Sequence, residues 1–199
     1  MKKTILGTVL LCLSITSFAN IILLEDFEDG GVTYTSSVND NLSELTSLDY
    51  YGRLQHSELP SALRYTNLQG DGFFGVQDTD GVAGAFASTA SLVWDNIDIS
   101  NWTNLSLSWW LAEDTANDGN KDFDHDTQFL IETQIDNLGF SDLFSIRALR
   151  AGTDRYNHVA AVDDNFDGIG DGQLLSDSFQ HFNRALQTGD SLDIRIHFL

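Results

Sequence analysis

The ten residues from Asp163 to Gly172, DDNFDGIGDG, carry the side chains best suited to binding a metal ion. Asp163, Asn165 and Asp167 alternate along the chain, and Asp171 follows four residues after Asp167. Calcium is a hard cation that takes about six to eight oxygen ligands. Carboxylate and amide oxygens at this spacing supply such ligands, and the glycines allow the tight turns of such a loop. The pattern predicts a calcium site at these four residues, and the alternative is a solvated Asp/Gly turn.

The order of residues in this loop separates two kinds of calcium site. It begins like an EF-hand, but Leu174 stands where an EF-hand has its bidentate glutamate, so an EF-hand is disfavoured. The order D-x-N-x-D-G-x-G-D more closely resembles the calcium loops of thrombospondin type 3 repeats, without their cysteines. That resemblance implies calcium as the bound cofactor.

Three further acidic clusters are candidates for metal binding, with solvated loops or plain turns as the alternative. Alternating carboxylates on one side of an extended loop repel one another unless a cation intervenes. The cluster that alternates most regularly comprises Asp118, Asn120, Asp122, Asp124 and Asp126, and the other two comprise Asp78 with Asp80 and the four acids around Phe27, namely Glu25, Asp26, Glu28 and Asp29.

Enzymatic motifs are absent from the sequence. It has no G-x-S-x-G elbow, no H-E-x-x-H zinc helix and no Walker loop, and its five histidines show no paired ligand spacing. Glu132 is the most suggestive acid because it lies on the polar face of a predicted strand, but an ion pair with Arg147 or Arg195 explains it better. The sequence therefore predicts no catalytic residue, and a small jelly-roll polysaccharide hydrolase or lyase is kept as an alternative.

The four tryptophans suggest how a sugar would be bound. Trp109 shares a strand face with Leu105 and Leu107 and is predicted to be core, and Trp94 is predicted to pack internally. Trp110 lies on the opposite, polar face, where a large ring either lines a groove or is covered by a loop. The predicted ligand-binding residues are Trp110, Trp102, Glu132 and Arg195, on one shallow polar surface.

Period-two alternation of apolar and polar residues dominates the best-patterned segments and predicts an all-β protein. Asn104–Leu111, Thr127–Ile135 and Ser191–Leu199 each present one apolar and one polar face, as an antiparallel β-sandwich requires. One or two helical turns are predicted within Asn41–Leu48. The weaker strand predictions are Ile22–Phe27, Ala62–Thr66, Phe73–Gln77, Ser91–Trp94, Leu143–Leu149 and His181–Leu186.

The N-terminus has the features of a bacterial secretory signal. Lys2 and Lys3 precede an apolar run, and cleavage after Ala19 would leave a single domain of residues 20–199. The apolar run is too short for comfortable membrane insertion, and nothing later resembles a membrane helix. Cys12 would leave with the signal, so the mature chain has no cysteine for a disulfide. The predicted location is secreted or at the cell surface, with the periplasm as an open alternative.

The mature chain is strongly acidic. Cleavage removes two lysines and no acid, so the formal charge changes from −20 to −22. Such a surface repels phosphates and anionic lipid, which argues against nucleic acid and membranes as partners. Bound cations would neutralise part of this charge.

The order of LEDFEDG, GDGFFGVQDTDG, IDISNWTNLSLSWWLAED and DDNFDGIGDG resembles jelly-roll modules of large secreted bacterial proteins. These are similar to MAM and laminin-G-like sandwiches and to carbohydrate-binding modules. The resemblance implies that Glu25, Glu28, Asp78 or Asp80 help to hold a structural calcium. It also implies a closing strand after the one at Ser191–Leu199, so either the sequence is truncated or another segment or chain completes the sheet at this C-terminal edge.

Three functions follow as hypotheses. The leading one is an exported, calcium-stabilised β-sandwich that acts in binding or cell adhesion, with a polysaccharide or cell-surface glycan as its ligand. The second is a structural spacer within a larger surface protein. The third is the polysaccharide-active enzyme described above.

Overall fold

The computed structural model describes residues 5–8, 21–28, 31–44, 49–59, 65–77, 89–113, 123–124, 126–149 and 159–199. These residues form an all-β structure with a single 3-10 turn at His56–Glu58 and no α-helix among them. The strands are Ile5–Thr8 (β1), Thr35–Ser36 (β2), Asn41–Glu44 (β3), Asp49–Gln55 (β4), Gly72–Gln77 (β5), Ala90–Asp98 (β6), Ser106–Glu113 (β7), Phe129–Ile135 (β8), Ser141–Ala148 (β9), Ala160–Val162 (β10), Gln180–Ala185 (β11) and Ser191–Phe198 (β12).

The strands form two six-stranded antiparallel sheets. The first sheet has the order β11-β7-β1-β5-β4-β3, and the second has the order β10-β9-β8-β12-β6-β2. The three segments with the clearest alternation are confirmed as β7, β8 and β12. Among the weaker predictions, β5, β6, β9 and β11 are confirmed with ends shifted by a few residues.

The main core draws apolar side chains from both sheets. Leu107, Trp109 and Leu111 of β7 and Ile194 and Ile196 of β12 all belong to this one buried cluster. Ring contacts cross between the sheets: the Trp109 and Phe144 centroids are 4.8 Å apart, and the Phe74 and Phe198 rings stack at 5.9 Å. The arrangement is therefore sandwich-like, with the alternating apolar faces turned toward each other.

A second buried cluster covers the other face of the first sheet. Phe73 and Phe74 are adjacent in β5, yet both are buried, and only Phe74 belongs to the main core. All six residues of β5 are buried, and no exposed positions alternate along the strand, because both of its faces are covered. The second cluster consists of Tyr50, Leu54, Leu59, Tyr65, Phe73, Ala112 and Phe179.

The helix predicted within Asn41–Leu48 is wrong. Asn41–Glu44 is strand β3, which pairs with β4 from Asn41 opposite Gly52 to Glu44 opposite Asp49. A short helix has to form its first turn at a large entropic cost, whereas the edge of β4 offers this segment ready backbone partners. Residues 45–48 of the predicted helix lie outside the described residues.

The strand predicted at Ile22–Phe27 is also wrong, because residues 21–28 have no strand pairing. Buried Glu25 fixes this segment instead: its Oε1 accepts a hydrogen bond from Phe27 N at 3.3 Å and its Oε2 accepts one from Thr33 N at 2.9 Å. Of the strand predicted at Ala62–Thr66, the described part forms a single bridge, between Thr66 and Ser178, and residues 62–64 lie outside the described residues.

Strand β1 was not expected, because Ile5–Thr8 lies inside the predicted signal sequence. It sits between β5 and β7 in the middle of the first sheet and pairs antiparallel with both.

Candidate functional site

The predicted calcium loop connects β10 to β11 and is organised around Asp163. The Asp163 side chain is buried, with 2% of the residue exposed. Its Oδ1 accepts a hydrogen bond from Asp167 N at 3.2 Å, and its Oδ2 accepts one from Gly168 N at 3.0 Å. Its own N–H donates to Ser145 O in β9. Asp163 therefore fixes the fold of the loop and ties it to the second sheet.

The other three predicted ligands meet at the side chain of Asn165. Its Nδ2 lies 3.3 Å from Asp167 Oδ2 and 3.2 Å from Asp171 Oδ2. The Asp167 and Asp171 carboxylates thus approach a single donor nitrogen. A cation at that point would attract the same two carboxylates. Within the described ranges, no group of three or more His, Cys, Asp or Glu side chains is arranged to hold a metal ion. A cation at this point would therefore need the amide oxygen of Asn165 or backbone oxygens as further ligands.

Two arginines supply positive charge near this loop. Burial lowers the pKa of Arg147, and the charge of the nearby Asp163 carboxylate opposes that shift. Arg184 Nη2 lies 3.6 Å from Asp164 Oδ1 in a partly exposed ion pair. Arg147 therefore balances part of the charge that a bound cation would also neutralise.

Replacing Asp163 with alanine is expected to lower the free energy of unfolding by about 2–3 kcal/mol, because two loop amides lose a buried carboxylate acceptor. The adjacent Asp164→Ala is the matched control, since its exposed ion pair is worth well under about 1 kcal/mol. Urea unfolding of both variants in chelator measures the difference. Equal losses would show that the loop does not depend on Asp163.

Of the other acidic residues predicted to bind a metal, the structure describes Asp124, Asp126, Glu25, Asp26 and Glu28. Asp124 is buried and Asp126 is exposed. Glu28 Oε1 accepts hydrogen bonds from the N–H groups of Asp71 and Gly72, and Glu25 holds the turn described above. Both glutamates therefore act as backbone acceptors. Asp29, Asp78, Asp80, Asp118, Asn120 and Asp122 lie outside the described residues.

Trp110 lies on the face of the first sheet that points away from the main core. It is half-buried against the rim of the second cluster. His181 stands directly opposite it in β11, with the two ring centroids 5.0 Å apart. On the same face, Asn183 Nδ2 donates to Ser108 Oγ at 2.6 Å and to Ser106 Oγ at 3.2 Å. We call Trp110, His181, Asn183, Ser106 and Ser108 the Trp110 face.

The other tryptophans lie in the interior or partly so. Trp109 is fully buried and Trp94 is 2% exposed, which confirms both as packing residues. Trp94 Nε1 donates to Thr33 Oγ1 at 2.8 Å. Trp102 is half-buried against the main core.

Glu132 and Arg195 form the predicted cross-strand ion pair on the second sheet. Arg195 Nη2 lies 3.0 Å from Glu132 Oε2, and the two residues are opposite each other in β12 and β8. His197 Nε2 lies 2.7 Å from the same oxygen. The Arg195 guanidinium also lies over the Phe140 ring, 3.9 Å from its centroid.

The expectation of one surface carrying Trp110, Glu132 and Arg195 is wrong. Trp110 belongs to the first sheet, and the ion pair belongs to the second. The neighbours Trp109 and Ile131 both enter the core between the sheets, so the two polar faces point away from each other. That His181 lies opposite Trp110, and that Asn183 lies opposite Ser108, was not predicted from the sequence. Alternation placed them on one strand face, but their register with β7 is not readable from sequence.

A pocket of about 180 Å³ lies between the turn after β8 and the end of β11, lined by residues such as Thr133, Leu138 and Leu186. It includes no residue of the Trp110 face and none of the Glu132 ion pair.

No helix in the described part of the chain is long and apolar enough to cross a membrane. No protein-family model matches the chain, and the comparisons with curated proteins and with solved structures give no match either.

Proposed function

We propose that this protein is an exported β-sandwich of the jelly-roll type, stabilised by calcium, that binds a glycan through the Trp110 face. The observation that carries the proposal is the pairing of the Trp110 and His181 rings beside the hydrogen-bonding row of Asn183, Ser106 and Ser108.

The chemistry of this face suits a sugar ring. A pyranose has an apolar C–H face and a rim of hydroxyl groups that donate and accept hydrogen bonds. The half-buried indole of Trp110 offers a flat apolar surface, and the partly exposed Ser106 hydroxyl and the exposed Asn183 amide offer both donors and acceptors. The Ser108 hydroxyl is buried and holds the Asn183 side chain in place. Packing against the second cluster fixes the ring in advance, which lowers the entropic cost of binding.

The charge of the protein narrows the class of glycan. A mature chain with a formal charge of −22 repels polyanions at long range, so acidic polysaccharides and nucleic acids are poor ligands. We therefore infer a neutral polysaccharide or a neutral cell-surface glycan.

Calcium is proposed at the loop between β10 and β11, with Asp163, Asn165, Asp167 and Asp171 as ligands. The approach of the Asp167 and Asp171 carboxylates to one amide nitrogen supports this assignment. Turning the Asn165 amide by a half-rotation would present its oxygen instead, since such amides orient according to their partners. The ion would supply order to the loop and would take no part in chemistry.

Binding is favoured over catalysis by the state of Glu132. Its Oε2 accepts from Arg195 and lies within hydrogen-bond distance of His197. Glycoside hydrolysis uses two carboxylates about 5–10 Å apart. Asp142 of β9 stands opposite Glu132 in the sheet register, but Oε2 of Glu132 is already held by Arg195 and His197. The role of Glu132 in the proposal is to join β8 to β12.

Truncating Trp110 is expected to weaken glycan binding at least tenfold, a loss of about 1.4 kcal/mol or more. Trp102→Ala is the matched control, because it removes a second half-buried tryptophan outside the Trp110 face and should leave affinity unchanged. A glycan array in calcium buffer selects the ligand, and titration calorimetry then measures both variants against the unaltered protein.

Two results would overturn the glycan proposal. One is that the folded protein retains no neutral glycan on the array, which would favour the structural spacer. The other is that Trp110→Ala binds every retained glycan as tightly as the unaltered protein does.

A further inference from the structure

The pocket between the turn after β8 and the end of β11 lies outside both sites proposed above. Its walls come from both sheets: Ile135 and Leu143 belong to β8 and β9 of the second sheet, and Leu186 follows β11 of the first. All three side chains are partly buried and pack against the main core. The pocket is therefore an apolar recess between the ends of the two sheets, and we call it the β8–β11 pocket.

The β8–β11 pocket has room for a small organic group. Its volume is about 180 Å³, and an engineered apolar cavity of about 150 Å³ accepts a benzene-sized molecule. Leu138 also lines the pocket, although 86% of this residue is exposed, the largest fraction for any large apolar residue in the described ranges. A ligand that covers Leu138 removes apolar surface from water, which favours binding.

Asp142 gives the pocket a negative charge. It lines the pocket and is exposed, and its carboxylate makes no hydrogen bond or ion pair within the described part of the chain. None of the described lining residues is a Lys, Arg or His. An anionic ligand is therefore repelled, whereas an ammonium group is attracted both by Asp142 and by the formal charge of −20 on the whole chain. A single carboxylate among apolar walls does not suit calcium, which takes about six to eight oxygen ligands.

The Lys and Arg residues outside the described ranges are fixed away from this pocket. The stretches that contain them are 1–4, 60–64, 114–122 and 150–158. Three of these stretches join the described strands at Ile5, Glu113 and Leu149, at the opposite end of the sheets from the pocket. A nine-residue stretch fixed at both ends reaches at most about 17 Å, whereas the eight-residue strand β7 is about 26 Å long. The fourth stretch is fixed at Leu59 and Tyr65 in the second cluster.

No other part of the chain supplies a counterion for Asp142. The stretches outside the described residues that contain no Lys or Arg are 9–20, 29–30, 45–48, 78–88 and 125. Leu199 follows β12 at the end opposite to the pocket, so any chain beyond it would also start there. Arg195, in the same sheet as Asp142, is held by Glu132. The charge of Asp142 is therefore available to a ligand.

We propose that the β8–β11 pocket binds a small aliphatic amine. The branched apolar body of the amine lies against Ile135, Leu143 and Leu186, and its ammonium group lies beside Asp142. The pocket shares no residue with the Trp110 face or with the loop between β10 and β11. The proposal therefore goes beyond the glycan and calcium proposals and depends on neither.

A second copy of this chain is a poorer occupant than an amine. Leu138 of one copy would enter the pocket of another only if the same end of both molecules came together. That end is acidic, and like charges repel each other across such a contact. The acidic residues at this end are Asp98, Asp136, Asp142, Asp190 and Asp193.

Methyl NMR of the full chain tests the site, with isoamylamine as the probe. We expect saturable shifts of the methyl signals of Ile135, Leu143 and Leu186 as the amine is added. Isoamyl alcohol has the same branched body without the charge, so it should bind about threefold more weakly, the effect expected for a partly exposed ion pair.

Two variants test the role of the carboxylate. Asp142→Asn should weaken the binding of isoamylamine about threefold and leave that of isoamyl alcohol unchanged. Asp190→Asn is the matched control, because it removes the same charge from the same end of the molecule but from a residue that does not line the pocket. It should leave the affinity for the amine unchanged. Spectra that superimpose outside the pocket show that both variants are folded.

Three results would overturn the proposal. The first is that the three methyl signals show no saturable shift. Sedimentation then separates a dimer, in which a second copy occupies the pocket, from a monomer, in which the pocket is filled by the same chain or has no affinity for the amine. The second is that the amine and the alcohol bind equally well, and the third is that Asp142→Asn binds the amine as tightly as the unaltered protein does.

Discussion

Replacing Trp109 with alanine is expected to lower the free energy of unfolding by about 3–5 kcal/mol. The indole is fully buried between the sheets, 4.8 Å from the Phe144 ring and stacked at 6.2 Å on Phe182. Its Nε1 makes no hydrogen bond, so the loss comes from packing and from the cavity left behind. That loss is a large fraction of the about 5–15 kcal/mol that stabilises a typical protein.

The neighbouring Trp110 provides the matched control. It is the same residue type in the same strand, but it is half-buried on the opposite face, so Trp110→Ala should cost about 1–2 kcal/mol. Urea unfolding followed by circular dichroism measures both variants. Equal losses would contradict the assignment of Trp109 to the core and Trp110 to the surface.

Adding saturating calcium is expected to stabilise the processed protein by about 3–4 kcal/mol over its state in chelator, provided that the ion binds the native state alone. For a domain of this size, that corresponds to a rise of roughly 6–16 °C in melting temperature. We expect the effect because the Asp167 and Asp171 carboxylates of the loop between β10 and β11 approach the same Asn165 side chain, where a bound cation would relieve their repulsion. Thermal unfolding with excess calcium and then with chelator measures it.

Two variants locate the ion. Asp171→Ala should lose most of the calcium response, because Asp171 is one of the four proposed ligands. Asp164→Ala should keep it, because Asp164 lies outside the alternating set and faces Arg184. Cooperative unfolding at the same temperature with and without calcium would contradict the proposed calcium site. It would show instead that the loop is an Asp/Gly turn held by its own hydrogen bonds.

Alternation predicted strands such as β8 and β12, along which buried and partly exposed residues largely alternate. Trp109 and Trp110 of β7 and Ile194 and Arg195 of β12 fall on opposite faces in the structure, as their spacing indicates. Strand β4 was missed because Tyr50 and Tyr51 are both buried, one in each cluster, so it has no polar face to reveal the period. The residues of β3 favour a short helix, but the conformation of so short a segment is decided by pairing with its neighbour β4 rather than by its own residues.

The candidate site could be predicted only as far as local spacing reaches. The Glu132–Arg195 pair follows from two polar strand faces and was anticipated together with Arg147 as an alternative. The separation of Trp110 from that pair was not anticipated, because period-two spacing tells which side of a strand a residue takes and not which sheet the strand joins. The pairing of Trp110 with His181 joins segments 71 residues apart, and such a register depends on the whole fold.

The position of β12 between β8 and β6 determines when this molecule can fold. The second sheet is joined through β12, which follows all the other described strands along the chain, so this sheet can close only after those strands have been synthesised. Pairings of such long sequence separation form slowly. Closure of the second sheet is therefore expected to be a late and slow step in the folding of this protein.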